Sequence, residues 1–143
     1  MSGEDKALAE AVAAAMQRED QAAAHAGIEV DEVGPGQALA RMVVKDTMIN
    51  SHAVCHGGYV FLLADVAFAY ACNSRNLSNV AAGCHIDFLK AAVLGDQLEA
   101  QAIERQRGRR GGLYDIEVTN QNKQLIAVVR GRSAALNKPV IEE

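Results

Sequence analysis

Between His56 and Arg75 the chain carries a single charged side chain, Asp65, inside a run dominated by Ala, Val, Leu and Phe. At this length and without proline, Gly57 to Arg75 reads as a buried helix rather than a strand. It has no polar stripe to turn toward solvent, so other elements must enclose it. Asp65 is then the anomaly. Its neighbours three and four residues away are Phe61, Leu62, Phe68 and Ala69, all apolar. An unpaired carboxylate among such groups is costly and its pKa rises. With no polar stripe for it to join, Asp65 reads as a functional acid.

The rest of the chain supplies what could enclose that helix. Residues 4–24 read as an N-terminal helix, with Leu8, Val12, Ala15 and Met16 on one side and Gly27 as its stop. The period then changes to two. Ile28, Val30 and Val33 alternate with acidic residues, Gly34-Pro35-Gly36 marks a turn, and Ala38, Ala40, Met42 and Val44 line the next strand. After the apolar helix, strands are expected over 80–89, 97–106, 113–120 and 124–136, as an antiparallel meander. In the third of these, Tyr114, Ile116 and Val118 face one way and Asp115, Glu117 and Thr119 the other. The layout is α+β: one domain over 1–143, an antiparallel sheet wrapped around a single central helix (57–75), an extra N-terminal helix (1–24) and a short tail at 137–143.

Bulk properties narrow the function. The 14 basic and 18 acidic residues give a net charge of −4, which argues against a protein that lives on nucleic acid. The apolar run is too short, and broken by Asp65, to cross a membrane, and the acidic N-terminus does not read as a signal peptide. The three cysteines, Cys55, Cys72 and Cys84, form no C-x-x-C pair. They fit reduced thiols in a cytoplasmic protein and no standard metal pattern, so no metal or cofactor is expected. Hydrophobic residues make up 50% but aromatics only 4%. Alanine makes up the difference and buries little area per residue, which hints at an oligomer.

His56-Gly57-Gly58 opens the central helix. Glycine lets a substrate approach the backbone, and free N–H groups at a helix start can receive a developing oxyanion. His56 itself reads either as a general base or as a loop histidine bonded to backbone. Cys55 lacks the orienting His–Asn pair that a cysteine nucleophile needs. Gly57 and Asp65 are eight residues apart, about 12 Å along a helix at ~1.5 Å per residue. A general base must come within about 3 Å of its proton, directly or through one water. One protomer therefore does not easily join the two, whereas antiparallel helices across a two-fold dimer would give two composite sites.

The segment Asn50 to Ser74, with Ile86-Asp87-Phe88-Leu89-Lys90, Gly112-Leu113-Tyr114-Asp115-Ile116 and Arg130-Gly131-Arg132-Ser133, resembles the hotdog-fold acyl-CoA thioesterases. It is especially similar to the PaaI type, which acts on phenylacetyl- and hydroxyphenylacetyl-CoA. The likeness runs over about residues 25–135. It implies a hotdog fold and hydrolysis of an aryl-acetyl-CoA to free acid and CoA, with CoA as part of the substrate and no cofactor. It also implies a homodimer with composite sites, often a homotetramer. Asp65 is implied as base or nucleophile, the Gly57 N–H as oxyanion donor, Asn50 as the residue that positions water or thioester, and His56 as the shaper of the entry loop beside Gly58. Related enzymes carry an assisting Ser or Thr near the next strand, where Val80-Ala81-Ala82-Gly83-Cys84-His85 offers no hydroxyl.

Arg105 to Gly112 is the basic cluster of the chain. It reads either as a solvated turn or as a clamp for CoA phosphates built from Arg107, Arg109 and Arg110, with Lys90 joining it. An R-G-G element for RNA is disfavoured by the acidic chain and the lack of stacking aromatics. Two other readings stay open: a thioesterase for benzoyl or medium-chain acyl groups, and a non-catalytic acyl-CoA-binding dimer. A hydratase would pair a His with an acid from different motifs, and no such pair is found.

Overall fold

The computed structural model describes residues 2–142. The central helix, α3, spans Gly57–Cys72. His56 caps it, its Nδ1 accepting from the Gly58 N–H at 3.0 Å. The helix stops three residues before Arg75, because side chains take over its last carbonyls. Asn73 Nδ2 donates to the Ala69 carbonyl at 2.8 Å and Ser74 Oγ to that of Ala71 at 2.7 Å.

Before α3 come α1 (Gly3–Glu19), α2 (Gln21–Ala26), β1 (Glu29–Gly34), β2 (Gln37–Val43) and a 3₁₀ turn at Asp46–Met48. After it come β3 (Asn79–Phe88), β4 (Gln97–Gly108), β5 (Gly111–Thr119) and β6 (Leu125–Ala135). The single helix expected over 4–24 is therefore two. Asp20 adopts a non-helical backbone, ends α1 and caps α2 by accepting from the Ala23 N–H at 3.1 Å. A residue whose side chain competes for backbone N–H groups favours such a break. Gly27 ends α2 in the left-handed conformation at φ 72°, where glycine is favoured.

The six strands form one antiparallel sheet in the order β1-β2-β4-β5-β6-β3. The expected meander holds for β4, β5 and β6 only. β3 pairs with β6 and forms the far edge of the sheet. The chain then crosses back over residues 89–96: the Leu89 and Lys90 N–H groups bond to Ile126, and Asp96 bonds to Val44 beside β2. The two edges differ in cover. α1 packs against β1, whereas β3 is exposed along most of its ten residues.

Alanine explains how the sheet closes on α3. Ala40, Ala100, Ala102 and Ala127 on the sheet and Ala64 and Ala67 on the helix are fully buried. Ala38 stands opposite Ala102 and Ala40 opposite Ala100, so small side chains face the helix in register. Gly131 serves the same end, since a Cβ there would meet the Phe68 ring at 2.9 Å. Tyr114, Ile116 and Val118 face this core as their alternation predicts. Among the described residues no helix is long and apolar enough to cross a membrane.

Candidate active site

Asp65 lies half-buried midway along α3. Among the described residues its carboxylate has no hydrogen-bond or ion-pair partner. Burial, and then the nearby Asp20 charge, hold its pKa above the usual carboxylate range. An acid of raised pKa with free acceptor oxygens is suited to taking a proton near neutral pH.

The N-terminus of α3 offers the complementary group. The Gly58 N–H is used by His56, and those of Tyr59 and Val60 turn back to the His56 carbonyl. The Gly57 N–H has no acceptor among the described residues and is the donor left over. The Phe88 ring lies above it: a Cβ on Gly57 would meet that ring at 3.0 Å, so only glycine keeps the approach open. His56 Nδ1 is occupied as the cap acceptor, which places its ring proton on Nε2.

The loop before α3 is tightly organised. Asn50 Oδ1 accepts from the His52 and Val54 N–H groups at 2.9 and 3.3 Å, and Ala53 takes a positive φ of 64° to close the turn. Among the described residues the Asn50 side-chain N–H₂ has no acceptor. Cys55 N–H bonds to Ala92 and His56 N–H to Met48, which ties the loop to the crossing segment. The Cys55 thiol is buried and burial raises its pKa, so it is a packing group.

At the other end of α3 lies a cavity of about 470 Å³. It is lined by Arg75, Ser78, Arg107, Arg109, Tyr114 and Ser133, among others. The sequence-derived basic set is thus divided. Arg107 and Arg109 meet here, Arg110 sits at the hairpin tip outside the lining, and Lys90 follows the opposite end of β3. Sequence reasoning missed Arg75, whose only signal was its place just beyond the apolar helix.

Within one protomer the structure therefore keeps Asp65 and the Gly57 N–H apart, half a helix from each other. Comparison with known proteins decides what kind of protein carries this arrangement. A family model described as "Thioesterase superfamily" matches residues 52–127. The chain belongs to the thioesterase superfamily. The fold is the hotdog fold, and the activity of the family is hydrolysis of a thioester. The acyl-coenzyme A thioesterase PaaI of Escherichia coli K12 is 44% identical over 129 residues, 90% of this chain and 92% of that one. A putative esterase of Archaeoglobus fulgidus is 40% identical over 107 residues, 75% of this chain and 70% of that one. The structure of E. coli PaaI superposes with a TM-score of 0.92, covering 94% of this chain and 97% of that one at 42% identity. A Streptococcus mutans protein solved with acetyl CoA gives a TM-score of 0.76 at 28% identity, over 78% of this chain and 90% of that one. The thioesterase match contains His56, Gly57, Asp65 and the β4–β5 hairpin, and leaves Asn50 and the N-terminal helices outside it.

Proposed function

We propose that this thioesterase hydrolyses acyl-CoA, and specifically aryl-acetyl-CoA such as phenylacetyl-CoA or its ring-hydroxylated forms, to the free acid and CoA. The observation that carries the chemistry is Asp65: a half-buried carboxylate of raised pKa on α3, which, like the first N–H of that helix, has no partner among the described residues. The CoA part is supported by the acyl-CoA thioesterase name of the E. coli relative and by acetyl CoA in the S. mutans structure. The aryl-acetyl part is supported by the E. coli structure being that of a protein from the phenylacetic acid degradation operon.

In this scheme the Gly57 N–H donates to the thioester carbonyl oxygen and stabilises its negative charge in the transition state. The Asn50 side-chain N–H₂ orients the water or the thioester. Asp65 takes the proton of the attacking water, and the C–S bond breaks to release CoA thiolate, which is then protonated. In the alternative route the Asp65 carboxylate attacks the carbonyl carbon directly, expels CoA thiolate and leaves a mixed anhydride that water hydrolyses. Label recovered in Asp65 after a single turnover in ¹⁸O-water identifies the second route, with water attacking the Asp65 carboxyl carbon of the anhydride. Neither route calls for a metal or cofactor.

The two groups meet across a homodimer. The exposed β3 edge, with Val80 and Phe88 48% and 55% exposed, is the surface for antiparallel pairing about a two-fold axis. That pairing would bring Gly57 of each protomer toward Asp65 of the other, and two dimers make a homotetramer. Arg107 and Arg109 would hold the phosphates of CoA in the cavity at the end of α3. The free thiols Cys55, Cys72 and Cys84 suit the cytoplasm.

Mixing defective chains tests the composite site. Gly57 is the first residue of α3, where proline is tolerated and lacks the N–H. Gly57→Pro is expected to lose about 10²–10³ in kcat. Gly57→Ala crowds Phe88 equally but keeps the donor and is expected to retain more activity. Co-refolded Asp65→Asn and Gly57→Pro chains should recover about a quarter of wild-type turnover, since each hybrid dimer has one intact site. No recovery would place both groups in one protomer. CoA release measured with phenylacetyl-, hydroxyphenylacetyl-, benzoyl- and medium-chain acyl-CoA then fixes the acyl preference; release from none of them would leave a binding protein.

A further inference from the structure

Glu104, on β4, is tied to three groups from different elements. The Arg75 guanidinium makes a two-point contact with it, Nη1 to Oε1 at 2.6 Å and Nη2 to Oε2 at 3.2 Å. The buried Tyr114 hydroxyl donates to Oε1 at 3.1 Å. Arg107 Nε stands 3.9 Å from the same oxygen. Burial, and then the Glu104 charge, push the Tyr114 hydroxyl pKa up, so it remains a donor.

A bulge makes this grouping. Glu104 stands opposite Tyr114 but Gln106 opposite Leu113, which leaves Arg105 as the extra residue of β4. One extra residue moves every later side chain to the other face of the sheet. Arg105 therefore turns outward to Asp115 at 2.7 Å, while Arg107 turns inward beside Glu104. Without the bulge Arg107 would share the outer face of Arg105, away from the cavity. Three guanidiniums, those of Arg75, Arg107 and Arg109, line that cavity. Glu104 offsets one of the three charges. A guanidinium has more N–H donors than one carboxylate uses, so Arg75 keeps donors for a ligand.

We propose that Glu104 is the positioning residue of an anion site in this cavity, holding Arg75 and Arg107 toward the phosphate-bearing end of the substrate. The proposal rests on the CoA reading above and adds Arg75, a cation which that reading does not use. A fixed guanidinium pair loses less freedom on binding a phosphate than two mobile ones.

The test measures CoA affinity by calorimetry together with KM and kcat for phenylacetyl-CoA. Glu104→Gln and Arg75→Met are each expected to raise the CoA Kd and the KM about tenfold, with kcat within about twofold, the scale of a lost charge-assisted contact. The double variant should bind no worse than either single one, because both disrupt one unit. Arg107 and Arg109 are the cations of the CoA reading, so Arg107→Met and Arg109→Met probe that reading itself, Arg109 having no bond to Glu104 among the described residues. If both bind CoA as wild type does, the cavity does not hold CoA and that reading falls. If both weaken while Glu104→Gln binds CoA equally or more tightly, the positioning role is overturned, because loss of the negative charge alone would favour an anion. Should Glu104→Gln fail to fold, Tyr114→Phe removes only the hydroxyl: a smaller rise in Kd supports the proposal and an unchanged Kd overturns it.

Discussion

The two ends of α3 are finished in opposite ways. At the N-terminal end, glycines and a histidine cap leave the Gly57 N–H without a partner among the described residues, under the Phe88 ring. At the C-terminal end the side chains of Asn73, Ser74 and Arg75 are all engaged. Asn73 reaches Ala69 and Asn79, Ser74 bridges Ala71 and Gly36, and Arg75 grips Glu104. A free donor at a helix start costs stability unless a ligand uses it, whereas a satisfied helix end stabilises the fold. In the proposed function the N-terminal end thus serves the chemistry, while Asn73 and Ser74 at the C-terminal end serve the architecture and Arg75 turns to the arginine-lined cavity beside them. The open edge of β3 runs between them; in the proposed dimer a second copy pairs there and brings Gly57 of one protomer toward Asp65 of the other.

The sharpest way to break this division is at Asp65, between the ends. Asp65→Asn is expected to lose at least about 10²-fold in kcat, the scale of a lost acid–base group, with the circular dichroism spectrum unchanged. Its stability should behave oppositely. Burial holds the Asp65 pKa above its unfolded value. For such a group the stabilising contribution is present below the unfolded pKa and is lost as pH rises through the folded one. The Tm of Asp65→Asn should therefore gain on that of wild type as pH is raised from about 4 to about 7. A Tm difference independent of pH would mean that the carboxylate is not desolvated.

The C-terminal end should show the reverse pattern, loss of stability without loss of chemistry. Ser74 is 1% exposed and its hydroxyl accepts from the buried Gly36 N–H at 2.8 Å. Ser74→Ala leaves that N–H unsatisfied, at a cost of about 1–3 kcal/mol in urea unfolding, with kcat within about twofold of wild type. A large drop in kcat at unchanged stability would show that this end takes part in the reaction.

This division was partly legible in the sequence. The central helix follows from its length, apolar content and lack of proline, and the inward faces of β2 and β5 follow from period-two alternation, because each strand buries one side against the same core. Asp65 stood out because an isolated charge in an apolar helix has no structural excuse. The place of β3 was not legible, since alternation shows that a strand exists but not which neighbour it pairs with. The break at Asp20 was hidden by alanines that favour helix on both sides of it. The pairing of Arg75 with Glu104 joins residues 29 apart through a one-residue bulge, and no local pattern signals either. Of the basic residues, the sequence shows the cluster but not which face each takes, and within the protomer Lys90 and Arg110 lie outside the cavity that Arg107 and Arg109 line.

The smallest expected effect concerns that break at Asp20, whose charge acts on Asp65 from the N-terminal layer. Three titratable side chains act on or near the Asp65 carboxylate: Asp20 from the α1–α2 junction, Cys72 on α3 and Cys84 on β3. Burial pushes the Cys72 thiol up to about 12 and raises that of Cys84, so both are neutral at working pH. Asp20 is then the neighbouring charge that opposes ionisation of Asp65. Asparagine caps a helix as well as aspartate, so Asp20→Asn should keep the bond to Ala23 and the start of α2. It removes the repulsion alone, which makes Asp65 easier to ionise. The acid limb of kcat/KM is expected to move to lower pH with its plateau unchanged. Because burial is the larger cause, the limb should stop above the range of an ordinary carboxylate. An unmoved limb would assign the elevation of Asp65 to burial alone and leave the N-terminal helices with a purely structural role.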